Sequence, residues 1–237
     1  TQASDQHEAW LIKFPAQQEH PEVCAIEAVY AECLRLCAIE TPDTHFFNLP
    51  NGLTAFASKR FDRQNGMRIP MQSLAAYTGA DYKVPGSLDY RNFLRATLMC
   101  TQDVRERLHA FKRAVFNVLF NNRDDHTKNF SFLMEKNGQW KLAPAYDVTF
   151  CEGPGGYHQM DIMGEALNIS RNDIHKLGTS EANLTTLEVD EIILTMREIA
   201  LQFSQIAQRL YPNQIRGSTL QMIQSRIQQN IDFLTET

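Results

Sequence analysis

Nine consecutive polar residues, Asn121-Asn122-Arg123-Asp124-Asp125-His126-Thr127-Lys128-Asn129, stand between two stretches patterned for burial. Upstream, Asp103 to Asn121 reads as a helix. Val104, Leu108, Phe111, Val115, Val118 and Leu119 recur at helical spacing, and Phe116 and Phe120 widen the stripe toward full burial. Downstream, Phe130 and Phe132 alternate with Ser131 and Leu133, Asn137-Gly138 is a two-residue turn signal, and Trp140 and Leu142 resume the alternation, which predicts a β-hairpin. A plain connector between a buried helix and a buried hairpin is shorter and less charged than this one. The chain must therefore fold so that a polar loop is held between two apolar elements.

If Asn137 and Gly138 are the two loop residues, Asn129 faces Tyr146 across the hairpin and Asp147 stands next to it. Asp124, five residues before Asn129, reaches the same point. An Asn amide oxygen and a carboxylate are hard ligands that suit Mg²⁺ shared with a nucleotide's phosphates, since this ion takes one or two carboxylates from protein and completes its octahedron with water and phosphate oxygens. The second carboxylate, Asp124, is then free to accept the proton of an attacking hydroxyl. An Asp base, an Asn ligand and a second Asp ligand are the parts of a phosphoryl-transfer site. Singly, each residue is equally a turn residue: Asp124 and Asp125 can cap a turn and Asn129 can bond the local backbone.

The other elements leave room for one large domain or two small ones in 237 residues. Residues 9–14 are predicted as a strand, Glu22 to about Ala38 as a helix, and His45–Leu49 and Leu53–Ser58 as strands joined at Pro50-Asn51-Gly52. Thr185 and Glu188 form a capping box. Ile192, Met196, Ile199, Phe203, Ile206 and Leu210 then predict one helix ended by Pro212, and Leu220, Ile223, Ile227 and Ile231 a last one. Two such helices joined by a short turn are expected as an antiparallel pair in one core rather than a coiled-coil arm.

Composition excludes several classes. A hydrophobic fraction of 43% with 22% charged residues is that of a folded chain. No run of 18 apolar residues offers a transmembrane helix, and the start shows no secretory signal, so no membrane association and a cytoplasmic location are expected. A net charge of −5 argues against direct nucleic-acid binding. Five cysteines without C-x-x-C spacing are expected as reduced structural thiols, Cys33 and Cys37 as core residues.

The stretch D-D-H-x-K-N-F-S-F, followed by the Asp of A-P-A-Y-D, resembles the catalytic core of HipA-like serine/threonine kinases, the toxin kinases of bacterial toxin–antitoxin modules. The likeness extends to Lys13 in W-L-I-K-F-P, Glu27 in the next helix, K-R-F-D-R at 59–63 and R-A-V-F-N-V-L-F-N-N-R at 113–123. It implies an α+β, protein-kinase-like fold with a small N-lobe over residues 1–63 and a mainly helical C-lobe over 64–237. It further implies phosphorylation of a protein serine or threonine with ATP and Mg²⁺. Asp124 would be the base, His126 its orienting neighbour or a phosphate contact, Asn129 and Asp147 the metal ligands. Lys13 would hold the α/β-phosphates and be fixed by Glu27, as in kinases generally. Backbone groups at Lys59 and Phe61 would contact adenine, and Asp62 a ribose hydroxyl. Read locally, R-F-D-R is equally a salt-bridged strand end, Lys13 a surface strand lysine and His126 a loop histidine.

The family carries a phosphate-covering segment ahead of the Lys strand. Only twelve residues, none of them glycine, precede Lys13 here, so an incomplete ATP clamp is expected. A lipid or small-molecule phosphotransferase, or a non-catalytic kinase-like docking module, are the rival readings. Gly153-Pro154-Gly155-Gly156 follows Asp147 where an activation segment would run, and is equally a surface loop. The resemblance implies an antitoxin partner and a protein substrate such as an aminoacyl-tRNA synthetase.

Overall fold

The computed structural model describes residues 8–235; the expectations that fall on residues 1–7, 236 and 237 lie outside the described residues. Strand β1 (Trp10–Lys13) pairs antiparallel with β3 (Thr54–Lys59), which pairs on its other side with β2 (Thr44–Asn48). The β2–β3 connection is the tight turn expected at Pro50–Gly52, where Asn51 and Gly52 both take positive φ. Helix α1 (Glu22–Leu36) crosses this sheet and buries Ala25, Val29, Tyr30 and Cys33.

Tyr30 shows why α1 is not merely a sheet cover. Its ring stands edge-on to Phe116, Phe120 and Phe203, and its hydroxyl donates to the Phe120 carbonyl. The buried stripe of α1 is therefore part of the same core as the helices that follow.

After a short hairpin of β4 (Arg63–Gln64) and β5 (Met67–Arg68), strand β6 (Met71–Ser73) leads into α2 (Leu74–Thr78), capped by the Ser73 hydroxyl. Helices α3 (Tyr90–Thr101) and α4 (Val104–Leu119) pack on each other, each opened by an Asp N-cap, Asp89 and Asp103. Phe111, Val115, Phe116 and Leu119 are fully buried as their spacing predicts, but Val104 is exposed, because it sits in the first turn beyond the reach of the core.

Strands β7 (Ser131–Met134) and β8 (Trp140–Leu142) form the expected hairpin, with β6 adding a third strand beside β7. Its register differs by one residue from the sequence expectation. Phe132 pairs with Leu142 and Met134 with Trp140, and Glu135 closes on Gln139 around Lys136-Asn137-Gly138. Gly138, at φ 83°, accounts for the slip: it takes the left-handed position of a three-residue loop instead of the second position of a two-residue one. Asn129 thus does not face Tyr146 through the ladder.

Helices α5 (Arg171–Glu181), α6 (Thr186–Leu201), α7 (Phe203–Leu210) and α8 (Gly217–Thr235) complete the fold. The Thr185–Glu188 capping box is present. The single helix expected up to Pro212 is instead two, broken at Gln202, where the turn brings Phe203 into full burial against Tyr30. Helix α8 packs on both α6 and α7. Cys24, Cys33 and Cys37 are buried free thiols, and burial pushes the Cys37 thiol up to about 12. Among the described residues, no helix is long and apolar enough to cross a membrane.

Candidate active site

The polar loop is built from both of its ends. Helix α4 ends at Phe120, and Asn121 turns the chain with a positive φ of 55°. Asn122 then forms an isolated parallel bridge with Cys151, in which Cys151 N donates to Asn121 O at 3.1 Å and Arg123 N to Cys151 O at 3.2 Å. This bridge, together with the β7–β8 hairpin, returns the chain after Asp147 to the start of the loop.

Tyr146 fastens the other end. Its hydroxyl donates to Lys128 O at 2.7 Å and meets the Ser131 hydroxyl at 2.6 Å. The bonded pair Lys128–Tyr146 is flanked in sequence by Asn129 and Asp147, so this side-chain contact, and not the ladder, joins the two backbone segments that carry them. Asp147 itself adopts the left-handed region at φ 57°, a conformation that Asp tolerates better than most residues.

Lys13, at the end of β1, carries the most informative contacts. Its ammonium donates to Glu27 Oε1 of α1 at 2.6 Å and also to Asp147 Oδ1. Burial opposes the charged form, but the Glu27 and Asp147 carboxylates outweigh it and hold Lys13 above its usual range. Glu27 is more enclosed, with 14% of its side chain exposed against 32% for Lys13. Its burial wins over the Lys13 charge, and its carboxyl is pushed up. Lys13, Glu27 and Asp147 line a cleft of about 200 Å³ whose apolar walls include Leu11, Ala31, Leu34, Phe56 and Val148.

Asp124 lies close enough to Asp147 to feel its charge. Burial is the main cause that raises its carboxyl, Asp147 and Asp125 add to the rise, and His126 and a hydrogen bond from Gln159 oppose it. His126 Nε2 is 3.8 Å from Asp124 Oδ1, with its ring edge-on to Tyr82 at 5.7 Å between centroids. The Asn129 side-chain nitrogen donates to Asp124 O at 2.8 Å. The local backbone bond considered from sequence therefore exists, and it fixes which end of the amide is the nitrogen.

Among the described residues no group of three or more His, Cys, Asp or Glu side chains is gathered closely enough to hold a metal ion by itself. An Asn amide oxygen with one or two carboxylates is the kind of donor set that suits Mg²⁺, the rest of its shell coming from water and phosphate. Asn129 and Asp147 would hold it. When bound, the ion neutralises charge developing on the phosphate oxygens.

Sequence reasoning missed the support beneath this site. Asp125 is completely buried and accepts from Tyr90 Oη, from Gln159 N and from His158 Nδ1, each at 2.8 Å. Asn117 Nδ2 donates to Tyr90 Oη, and Asn122 Nδ2 donates to Asn117 Oδ1, both at 2.9 Å. The only signal available was the doubled Asp-Asp, one for the cleft and one for the core.

Of the residues expected at the adenine and ribose, none lines this cleft directly, and Phe61 reaches it only through Tyr146. Lys59 N donates to Asp43 O at 2.9 Å, and its ammonium pairs with Glu8 at 2.5 Å. The Phe61 ring packs on Tyr146 at 5.5 Å. Asp62 is buried between Arg60, bonded twice at 2.6 Å, and Arg63, and hydrogen bonds from Arg60 hold its carboxyl below the usual range. Its carboxylate is the salt-bridged strand end, already engaged where a ribose acceptor was expected.

A model of the HipA-like C-terminal domain family matches residues 1–207. The Haemophilus influenzae protein named "Putative kinase" is 24% identical over 160 residues, which cover 58% of this chain and 44% of that protein. HipA from Shewanella oneidensis MR-1, in its complex with HipB and operator DNA, matches with a TM-score of 0.72 at 17% identity, over 95% of this chain and 57% of that one. The Helicobacter pylori proinflammatory kinase CtkA matches with a TM-score of 0.62 at 14% identity, over 96% of this chain and 88% of that one. The chain spans about half the length of the first two of these proteins. The α+β, protein-kinase-like fold expected from the sequence is the fold it shares with both solved structures. The chain belongs to the HipA-like C-terminal domain family.

Proposed function

We propose that this protein transfers the γ-phosphate of Mg²⁺-ATP to a protein serine or threonine hydroxyl. The observation that carries the reading is the Lys13 ammonium seated between Glu27 and Asp147, with Asp124 within reach of the Asp147 charge. Lys13 binds the phosphate oxygens and Glu27 keeps it in place. Asn129 and Asp147 hold Mg²⁺, and His126 orients Asp124. The substrate hydroxyl oxygen bonds to the γ-phosphorus, the bond from phosphorus to the β–γ bridging oxygen breaks, and the hydroxyl proton passes to Asp124 as ADP leaves. Lys59, Phe61 and Asp62 serve the nucleoside end only if the 59–63 segment rearranges when nucleotide binds.

The work divides between a small lobe up to residue 63 and a helical lobe after it. An antitoxin is the proposed partner, by analogy with the HipA–HipB–DNA assembly, and the cytoplasm is the proposed compartment because it supplies ATP. Incubation with γ-labelled ATP, Mg²⁺ and a bacterial extract tests the proposal. Label in protein phosphoserine or phosphothreonine supports it. Label in lipid or metabolite supports a different phosphotransferase, and no calorimetric heat with Mg²⁺-ATP would leave a docking module.

A further inference from the structure

We infer that Gln159 is a positioning residue for phosphoryl transfer, its side-chain amide gripping one oxygen of the Asp124 carboxylate and aiming the other at the incoming hydroxyl. This rests on the reading of Asp124 as the base. Gln159 Nε2 donates to Asp124 Oδ1 at 2.7 Å. The Gln159 backbone is itself anchored: its N–H donates to Asp125 Oδ1 at 2.8 Å and its carbonyl accepts from Gly86 N at 2.8 Å. The preceding residue, His158, is buried, bonded through Nδ1 to Asp125 Oδ2 at 2.8 Å and through its N–H to Ala166 O at 2.8 Å. The Gln159 backbone is thus held at both its N–H and its carbonyl, and its side chain ends on Asp124.

A carboxylate rotates freely about its last torsion, for which the preference is broad and about two-fold. A donor fixed in space on one oxygen removes that freedom and leaves the second oxygen in a defined direction. A neutral amide suits this task, because a Lys or Arg at the same point would add a full positive charge and weaken the carboxylate as a proton acceptor. The same residue contacts Asp124 by side chain and Asp125 by backbone. The orientation of the base is thereby referred to the buried Tyr90–Asp125–His158 network.

The test compares Gln159→Met, which keeps the length and loses the donor, with Gln159→Ala and wild type. In the full-length protein, kcat for γ-phosphate transfer should fall by about 10–100-fold in both variants while KM for ATP changes by less than about twofold. The melting temperature should stay unchanged. An unchanged kcat in Gln159→Met overturns the inference, as does a joint fall of kcat, ATP affinity and melting temperature, which marks a structural role only. The Gln159 side-chain amide resonance gives a readout without turnover: it should shift on Asp124→Ala, and no shift overturns the contact. An inactive wild type defeats the kinase reading and this inference with it, whereas an active wild type with an unaffected Gln159→Met defeats the inference alone.

Discussion

Lys13 and Asp147, 134 residues apart in the chain, are joined by a direct ion pair. The contact ties the end of the first strand to the turn after the β7–β8 hairpin, so the two sides of the cleft are registered through the group proposed to bind the nucleotide's phosphate oxygens. Both side chains are partly exposed, at 32% and 48%. A pair in that setting contributes about 0–1 kcal/mol to stability. Lys13→Met also leaves the enclosed Glu27 without its partner, so it should cost about 1–3 kcal/mol, through Glu27 rather than Asp147, while kcat/KM for ATP falls by about 10²-fold or more. Paired thermal melts and steady-state kinetics check both halves of that expectation.

Glu22 is a purely structural counterpart. Its side chain is 4% exposed and accepts from Arg216 Nε at 3.0 Å, from Arg216 N at 2.9 Å and from Thr219 Oγ1 at 2.9 Å, which fastens α1 to the start of α8. Burial works against its charge, but these bonds win and hold its carboxyl below the ordinary value of 4.5. The contribution to stability is thus complete above pH 4.5 and is lost as pH falls through the depressed folded value. Glu22→Gln should cost about 1–3 kcal/mol at neutral pH, with the gap to wild type narrowing as pH falls below the ordinary value of 4.5. Denaturant melts at pH 7 and pH 3.5 measure it; a gap that widens in acid contradicts the sign.

The buried network under the loop should be more sensitive than any surface pair. Tyr90→Phe removes the hydroxyl that donates to Asp125 and accepts from Asn117, and should cost about 1–3 kcal/mol. Asp125→Ala leaves Tyr90, His158 and Gln159 N without their acceptor and should cost about 3–5 kcal/mol. Urea denaturation of both variants tests the order. Equal, small losses would show that the network contributes little.

Helix packing supplies a test independent of function. A Cβ on Gly178 of α5 would stand 2.4 Å from Val189 Cγ2 and 3.0 Å from Phe111 Cζ, a three-way contact of α5, α6 and α4 with no space to give. Gly178→Ala should destabilise by about 1–3 kcal/mol despite the better helix propensity of Ala. A variant that melts at or above wild type would show that the interface yields.

Local pattern made some of this legible in sequence and not the rest. The helices around Phe111–Leu119 and Glu22–Leu36, the Pro50–Gly52 turn and the Thr185 cap follow from spacing and end signals, which are local. The meeting of Asp124, Asn129 and Asp147 was expected from a two-residue hairpin loop that the structure does not have. The hairpin register slips by one residue because Asn137-Gly138 fits a three-residue loop as well as a two-residue one, and it is the Tyr146–Lys128 bond and the Asn122–Cys151 bridge that tie the polar loop to the segment after the hairpin. The break at Gln202 was hidden because the apolar repeat continues through it in phase. Gln159, His158 and Tyr90 reach the site from 27 to 35 positions away with no periodicity to announce them.

The central claim is that Asp124, Asn129 and Asp147 act on one Mg²⁺-bound phosphate. γ-Phosphate transfer by wild type, Asp124→Ala and Asp147→Ala, assayed side by side at matched folding, addresses it most directly. The account predicts transfer by wild type and losses of about 10²–10⁴-fold or more in both variants. Transfer at the wild-type rate in both would contradict it.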